Sequence, residues 1–362
     1  MRRIIFFLLA LSVLISAQDN NSDSKLTIQP YGFFKLDMSY DSDLMSAGNF
    51  TQWAYNDSKI HSNNTTPTTN ITAKQSRFGV NINKGAISGK VEIDFYGYGT
   101  AENKGGVLLR KAYAEAKLEN FTVRAGQDSD VISPLVPTTV NYPVAWWAGN
   151  IGYRRPMLKV FGDLNNINWN LALARNIGGD LNKDGIDDGS AAVLPELQGR
   201  VALKVFENHT LGFSGHYAQL DTLGEEGKYK SWSANLDLNL KITPKITVSG
   251  EAFVGSNIAG MLGGIANAST FDGVDTQGGW ANLKVKLSDK QSLSTGISID
   301  DPCDCDLNDG ARSKNTMIFA NIYHDILQGF LVGFEISYWS TDYKSMDTAT
   351  ALRGQLAFLY NF

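Results

Sequence analysis

Between residues 77 and 155 the chain places five arginines, Arg77, Arg110, Arg124, Arg154 and Arg155, with Lys35, Arg200 and Arg353 flanking them at a distance. A guanidinium stays charged at physiological pH and offers a planar fork that grips a carboxylate through two hydrogen bonds. Gathered on one surface, these cations would hold small anions. Paired instead with Glu92, Asp94 and Asp128, they would stiffen the element that carries them. The two uses are compatible, and the residue types alone leave both open.

Two acid-rich runs suggest different chemistry. Asp180, Asn182, Asp184, Gly185, Ile186 and Asp188 reproduce the start of an oxygen-ligand calcium loop, in which alternate side chains and the Ile186 carbonyl converge around a glycine turn. The twelfth position is Ala191, where a bidentate acid belongs, so the expected affinity is weak; a solvated acidic turn is the other reading. Farther on, Asp300, Asp301, Asp304, Asp306 and Asp309 surround Cys303 and Cys305. One intervening residue makes a tight, unusual disulfide ring, favoured over free thiols in an oxidising exterior. Acidic loops of this kind can also share divalent cations with lipopolysaccharide. Of the four histidines, His61, His209, His216 and His324, none is spaced to serve a nucleophile. No catalytic group is expected, and no cofactor is required beyond the candidate calcium.

The elements that must position these groups begin with an export signal. Arg2 and Arg3 precede an apolar run from Ile4 to Ile15, then Ser16 and Ala17, so residues 1–17 are expected to be removed outside the cytoplasm. Residues 18–29 are a short periplasmic segment, and 30–362 the folded body. That body contains no apolar run long enough for a spanning helix, and its net charge of −5 offers no basic face for nucleic acid.

What recurs instead is period-two alternation. In the last strand Leu352, Gly354, Leu356, Phe358, Tyr360 and Phe362 share one face, and Phe34, Leu36, Met38 and Tyr40 do so near the start. About sixteen such segments can be drawn, clearest at 31–40, 74–83, 87–97, 197–205, 230–241, 246–255, 281–287, 291–299, 328–340 and 350–362. Short breaks at 84–86, 119–120, 163–166, 206–209, 242–245, 288–290 and 324–327 alternate with longer connections, including 41–73, 129–151, 177–195 and 256–278. Strands oily outward and polar inward, joined by short and long connections in turn, predict an all-β transmembrane antiparallel barrel of about 16 strands with short periplasmic turns. Closure requires the Phe362 strand to pair with the strand beginning near Tyr31. Lys35, Arg77, Arg124, Arg200 and Arg353 then fall on inward faces.

Six stretches carry a family resemblance: YGFFKLDMSYD at 31–41, QSRFGV at 75–80, GKVEIDFYG at 89–97, LRKAYAE at 109–115, AGQDSD at 125–130 and GNIGYRRP at 149–156. Together they resemble the DcaP-like trimeric porins of Gram-negative outer membranes. The resemblance implies a homotrimer of sixteen-stranded barrels in outer-membrane lipid and lipopolysaccharide, preferring small anionic solutes such as dicarboxylates. A terminal aromatic such as Phe362 resembles the signal read by the outer-membrane assembly machinery.

Within that frame, 129–151, with Pro134, Pro137, Pro143, Trp146 and Trp147, is the candidate constriction loop, stiff enough to fold against the wall; a cap or a subunit contact is the alternative. Arg154, Arg155, Arg77, Arg110 and Arg124 would form the basic side of an eyelet. Segment 107–118 lacks a clean oily face and suits a subunit interface. The expected function is passive diffusion of small hydrophilic solutes, with a plugged structural or adhesive barrel as its rival.

Overall fold

The computed structural model describes residues 25–362 except 47, 49, 57–65, 99–103, 207–208 and 224–226. The expected signal at 1–17 and residues 18–24 lie outside the described residues.

Seventeen strand segments form one closed antiparallel sheet. They are β1 (Thr27–Asp41), β2 (Thr68–Thr72), β3 (Arg77–Lys84), β4 (Ile87–Asp94), β5 (Leu108–Lys117), β6 (Thr122–Ser129), β7 (Arg154–Leu164), β8 (Ile167–Ala174) and β9 (Glu196–Val205). The far side comprises β10 (His209–Asp221), β11 (Lys228–Thr243), β12 (Ile246–Ser256), β13 (Asp275–Lys286), β14 (Gln291–Pro302), β15 (Arg312–Leu327), β16 (Phe330–Tyr343) and β17 (Ala349–Asn361). Both β2 and β3 pair with β1, the first along Asp37–Asp41 and the second along Thr27–Phe33, so they are two lengths of one stave. The wall therefore has sixteen staves, as the alternation predicted.

One expected strand, 74–83, is broken at its start. The chain turns at 73–76, where the Ser76 amide donates to the Ala73 carbonyl (3.0 Å), and the Ser76 hydroxyl takes the Lys35 amide (3.0 Å) that a continuous strand would have satisfied. The wall also begins at Thr27, so the last three residues of the expected 18–29 segment are part of it.

Connections alternate as expected. Short turns lie at 85–86, 118–121, 165–166, 244–245, 287–290 and 328–329, and β9 and β10 are separated by only three residues. Eight loops join the other ends, the longest being loop 1 (42–67), loop 3 (130–153), loop 4 (175–195) and loop 6 (257–274). Phe34, Leu36, Met38, Tyr40, Phe334, Ile336, Tyr338, Leu352 and Tyr360 are exposed on the outer face, while Lys35, Asp37, Ser39, Glu335, Ser337, Arg353 and Gln355 are buried inside. That is the pattern of a lipid-facing wall around a polar lumen. The apolar clusters within the lumen join loops to wall: Met45, Ala145 and Ala148 pack on Met317, Phe319 and Trp339, and Ile132 and Ile151 on Phe253 and Met261.

β17 closes on β1 in register from Phe33 opposite Asn361 to Asp41 opposite Arg353, and Phe362 exchanges backbone hydrogen bonds with Gly32 at 3.1 and 3.3 Å. Its ring packs on Phe34 and Phe78 at centroid distances of 5.6 and 6.0 Å. Gly32 leaves room for that ring: a Cβ there would lie 2.8 Å from it and 2.3 Å from the Arg77 carbonyl oxygen. Gly32→Val is therefore expected to lower the yield of closed barrel, read as loss of the fast-migrating unheated band on a denaturing gel. An unchanged yield would show that the seam can open enough to admit a side chain.

The unclear phase of 107–118 has a simple cause. Across β4 and β5 the register passes from Glu92 opposite Lys111 to Ile93 opposite Leu109, leaving Arg110 as the extra residue of a bulge. A bulge re-aims side chains. Here it lets two consecutive cations face inward, Arg110 toward Glu92 and Lys111 toward Asp128.

Candidate functional site

Loop 3 runs around the inside of the wall, and its backbone is held there by side chains from strand after strand. The Val131 amide donates to Gln198 on β9 (2.9 Å), Leu135 to Glu251 on β12 (2.7 Å), Thr138 to Asn282 on β13 (2.7 Å) and Val140 to Glu335 on β16 (2.6 Å). The Thr138 carbonyl accepts from Asn321 on β15 (2.6 Å), and the Val140 carbonyl from Lys35 on β1 (2.8 Å). These are orphan backbone groups of a loop inside a barrel, and each needs a partner. Charged partners make the stronger bonds, which suits Glu251 and Glu335 to the task.

Past Val140 the loop continues round the wall from β1 to β4 and β5. The Tyr142 hydroxyl meets both Arg110 (2.9 Å) and Asp94 (2.9 Å). Its ring stacks on Tyr96 at 4.3 Å and continues through Phe50 toward Trp146. This path leaves a cavity of about 270 Å³ between the loop and the wall at β3, β5 and β7. Pro134 and Val136 line the loop side, and Arg77, Arg110 and Arg154 the other.

The three arginines differ in how far they are committed. Arg110 is held by Glu92 (2.9 Å) and Asp94 (2.6 Å), and Arg77 reaches Glu92 only at 3.8 Å. Arg154 makes no ion pair among the described residues. Its guanidinium sits over the rings of Tyr153 (4.6 Å) and Trp146 (5.7 Å), and its buried Nη2 has no hydrogen-bond partner. Three guanidiniums thus line one cavity, whose own carboxylate, Asp130, is taken by Arg155, while Glu92 and Asp94 hold Arg110. An anion entering it would find a buried donor free and a positive surplus, in a site where wall and loop exclude much of the screening water.

The remaining expected pore residues lie elsewhere. Arg155 is fully enclosed, bonded to Asp130 (3.0 Å), Glu196 (2.7 Å) and the Gly260 carbonyl (3.0 Å), so it ties β7 to β9 and loop 6 and does not line the cavity. Arg353 pairs with Asp41 (2.8 Å), Arg200 with Asp237 (2.7 Å) and Lys35 with Asp37 (3.0 Å). Arg124 is held by Glu115 and Asp128, both at 2.5 Å, and is not among the cavity residues. Sequence phase set Lys35, Arg124, Arg200 and Arg353 on inward faces, but only register shows which acid lies beside each. The anchoring roles of Asn282 and Asn321 carried no sequence signal, because their partners are backbone groups more than 140 residues away.

In loop 4, the Asp180 carboxylate takes the amides of Asp184 (3.1 Å) and Gly185 (3.0 Å), Asp184 that of Ile186 (2.8 Å), and Asn182 donates to the Thr222 carbonyl (2.5 Å). Asp188 is buried against the Tyr229 hydroxyl (3.0 Å). Among the described residues these carboxylates do not gather as a ligand group. Cys303 and Cys305 are bonded to each other, with Cα atoms 5.3 Å apart at the exposed outer rim.

Known proteins agree with the architecture. The fold matches the crystal structure of the outer membrane channel DcaP of Acinetobacter baumannii with a TM-score of 0.78 at 16% identity, covering 94% of this chain and 99% of that one. It also matches an anion-selective porin from Comamonas acidovorans (TM-score 0.62, 11% identity, 93% and 100% covered) and the trimer form of OmpT from Vibrio cholerae (0.59, 12%, 93% and 99%). Among curated proteins none matches the sequence. The model of the DcaP outer membrane protein family matches residues 12–261, more than half of the chain, and the motifs at 31–156 lie inside that span. With the family matched in sequence and the sixteen-stave barrel matched in fold, the chain belongs to the DcaP outer membrane protein family.

Proposed function

We propose that the channel passes small anionic solutes, dicarboxylates among them, by diffusion through the gap between loop 3 and the arginine face of Arg77, Arg110 and Arg154. The observation that carries this reading is Arg154, a buried guanidinium with a free Nη2 on a cavity that two further arginines share. Passage requires that an anion bind well enough to enter and weakly enough to leave. Arg110 meets the second condition because its acids already hold it, and Arg154 the first because no acid among the described residues does. A fold shared with a porin described as anion-selective is in keeping with this.

Reversal potentials in planar bilayers under a KCl gradient test it. Unit charges about 4 Å apart in water interact by roughly 1 kcal/mol, so Arg154→Ala is expected to lower the anion-to-cation permeability ratio about fivefold. An unchanged ratio would place Arg154 off the conduction path. Absence of any open current in the wild-type protein would instead favour the plugged structural barrel.

The same reading includes a homotrimer. The outward face of β5 is small and flat, with Ala112, Ala114 and Ala116 side by side, and would accept a neighbouring wall where bulky lipid-facing residues would not. Sedimentation in detergent, matched for bound detergent, distinguishes three copies from one.

A further inference from the structure

On the inner face of β4 to β7 lies a second group of cations, Lys90, Lys111, Arg124 and Lys159, none of which lines the arginine cavity. Lys111 (3.1 Å), Arg124 (2.5 Å) and Lys159 (2.5 Å) all reach the same carboxylate, Asp128. Arg124 has a second acid in Glu115 (2.5 Å). Lys90 has no acid at ion-pair distance among the described residues; its ammonium lies 4.5 Å from the centre of the Tyr31 ring. Aromatic rings floor the rest of the group, with Arg124 over Tyr113 (4.0 Å) and Phe161 (5.1 Å), and Lys159 over Phe161 (5.4 Å).

Four cations therefore share two carboxylates. The neighbouring acid on this face, Glu92, does not make up the difference, since Arg110, Arg77 and the Tyr31 hydroxyl already take it. Asp128 is almost wholly buried and Lys159 nearly so, while Lys90 and Lys111 are half-buried and reachable from the lumen. Cation–π contacts soften the deficit but carry no negative charge. A diffusing anion does.

Position gives the surplus a direction. Arg110 grips Glu92, and Lys90 lies two residues nearer the turn at 85–86, about 7 Å along the strand. Arg124 is likewise close to the short turn at 118–121. Short turns face the periplasm. The β5 bulge divides the cations between the two levels, sending Arg110 up to the cavity and Lys111 down to Asp128.

We propose that Lys90, Lys111, Arg124 and Lys159 form a second anion station on the periplasmic side of the eyelet, which takes a small carboxylate between Lys90 and the Asp128 cluster. It rests on the conduction reading above for its role in transport, though not for its binding. A carboxylate leaving the arginine cavity finds Lys111 one residue beyond Arg110 and Lys90 about 7 Å along β4 from Glu92, and occupancy of the lower station raises the rate at which the upper one empties, as like charges repel.

The test is block of the KCl current by succinate added to each side in turn. Lys90→Gln and the pair Lys90→Gln with Lys111→Gln are suitable because Lys90 breaks no ion pair when replaced and Asp128 keeps Lys159 and Arg124. The half-blocking concentration from the periplasmic side is expected to rise about fivefold in the first variant and further in the second, with Lys90→Arg restoring block. Arg154→Ala should instead retain that side's block while the KCl reversal potential moves. If the paired lysine variant migrates as a folded barrel and blocks like wild type, or if block follows Arg154 alone, the second station is overturned. If the wild-type channel lacks anion preference yet its block weakens in Lys90→Gln, the station stands and the eyelet reading fails.

Discussion

Replacing Glu251 and Glu335 together with alanine is expected to raise the single-channel conductance several-fold and to make the current noisy. Both carboxylates are buried, and each accepts a loop 3 amide, Leu135 at 2.7 Å and Val140 at 2.6 Å. A hydrogen bond to a charged group contributes about 1.5–3 kcal/mol. Losing two removes the stronger straps on the loop side of the gap, and Trp280 and Asn321 lose an acceptor as well. The loop would then sample positions away from the wall, widening the passage intermittently. Selectivity should fall in parallel, because a wider gap returns water between a permeating ion and Arg154. Currents as quiet and as small as wild type would mean that Asn282, Lys35 and the apolar contacts of Ile132 and Ile151 suffice to hold the loop.

Arg155→Ala is expected to cost the barrel about 3–5 kcal/mol of stability, the usual penalty for leaving a buried charge without its partner. Its guanidinium is the only cation that Asp130 and Glu196 contact at ion-pair distance among the described residues. Both acids are also tied to Gln198, at 2.7 and 2.6 Å, so the vacancy would loosen β7, β9 and loop 3 together. Urea unfolding in detergent micelles would read the loss as a lowered midpoint. Arg155→Met with Glu196→Gln should recover part of it, since the double change removes charge on both sides. A midpoint within error of wild type for Arg155→Ala would show that water enters and replaces the guanidinium.

Neighbours in sequence, Arg154 and Arg155 mark where sequence reasoning reached its limit. Both fit an arginine eyelet by type and position, and strand phase alone does not say that one is enclosed by Asp130 and Glu196 while the other is left beside two rings. The staves, the alternation of turns and loops, and the partnership of the first and last strands were legible because each follows from a period of two and from the need to close. Two details were not: the bulge at Arg110, which shifts phase by one residue within an otherwise regular strand, and the break at 73–76, where the Ser76 hydroxyl stands in for backbone. Both depend on what an adjacent strand offers at one position, which the segment itself does not encode. The inward acids were legible as lumen residues, but not as anchors, since their partners are amides of a distant loop.

The seam has a bearing on the order of events during biogenesis. Val140 is pinned by Glu335 on β16 and by Lys35 on β1, which come together only when β17 has zipped onto β1. Until then Val140 has at most one of these two moorings, and the sheet encloses no gap for the loop to narrow. The filter is thus the last thing this polypeptide makes, and a chain stalled short of closure would be a leak, with no sieve to protect the cell.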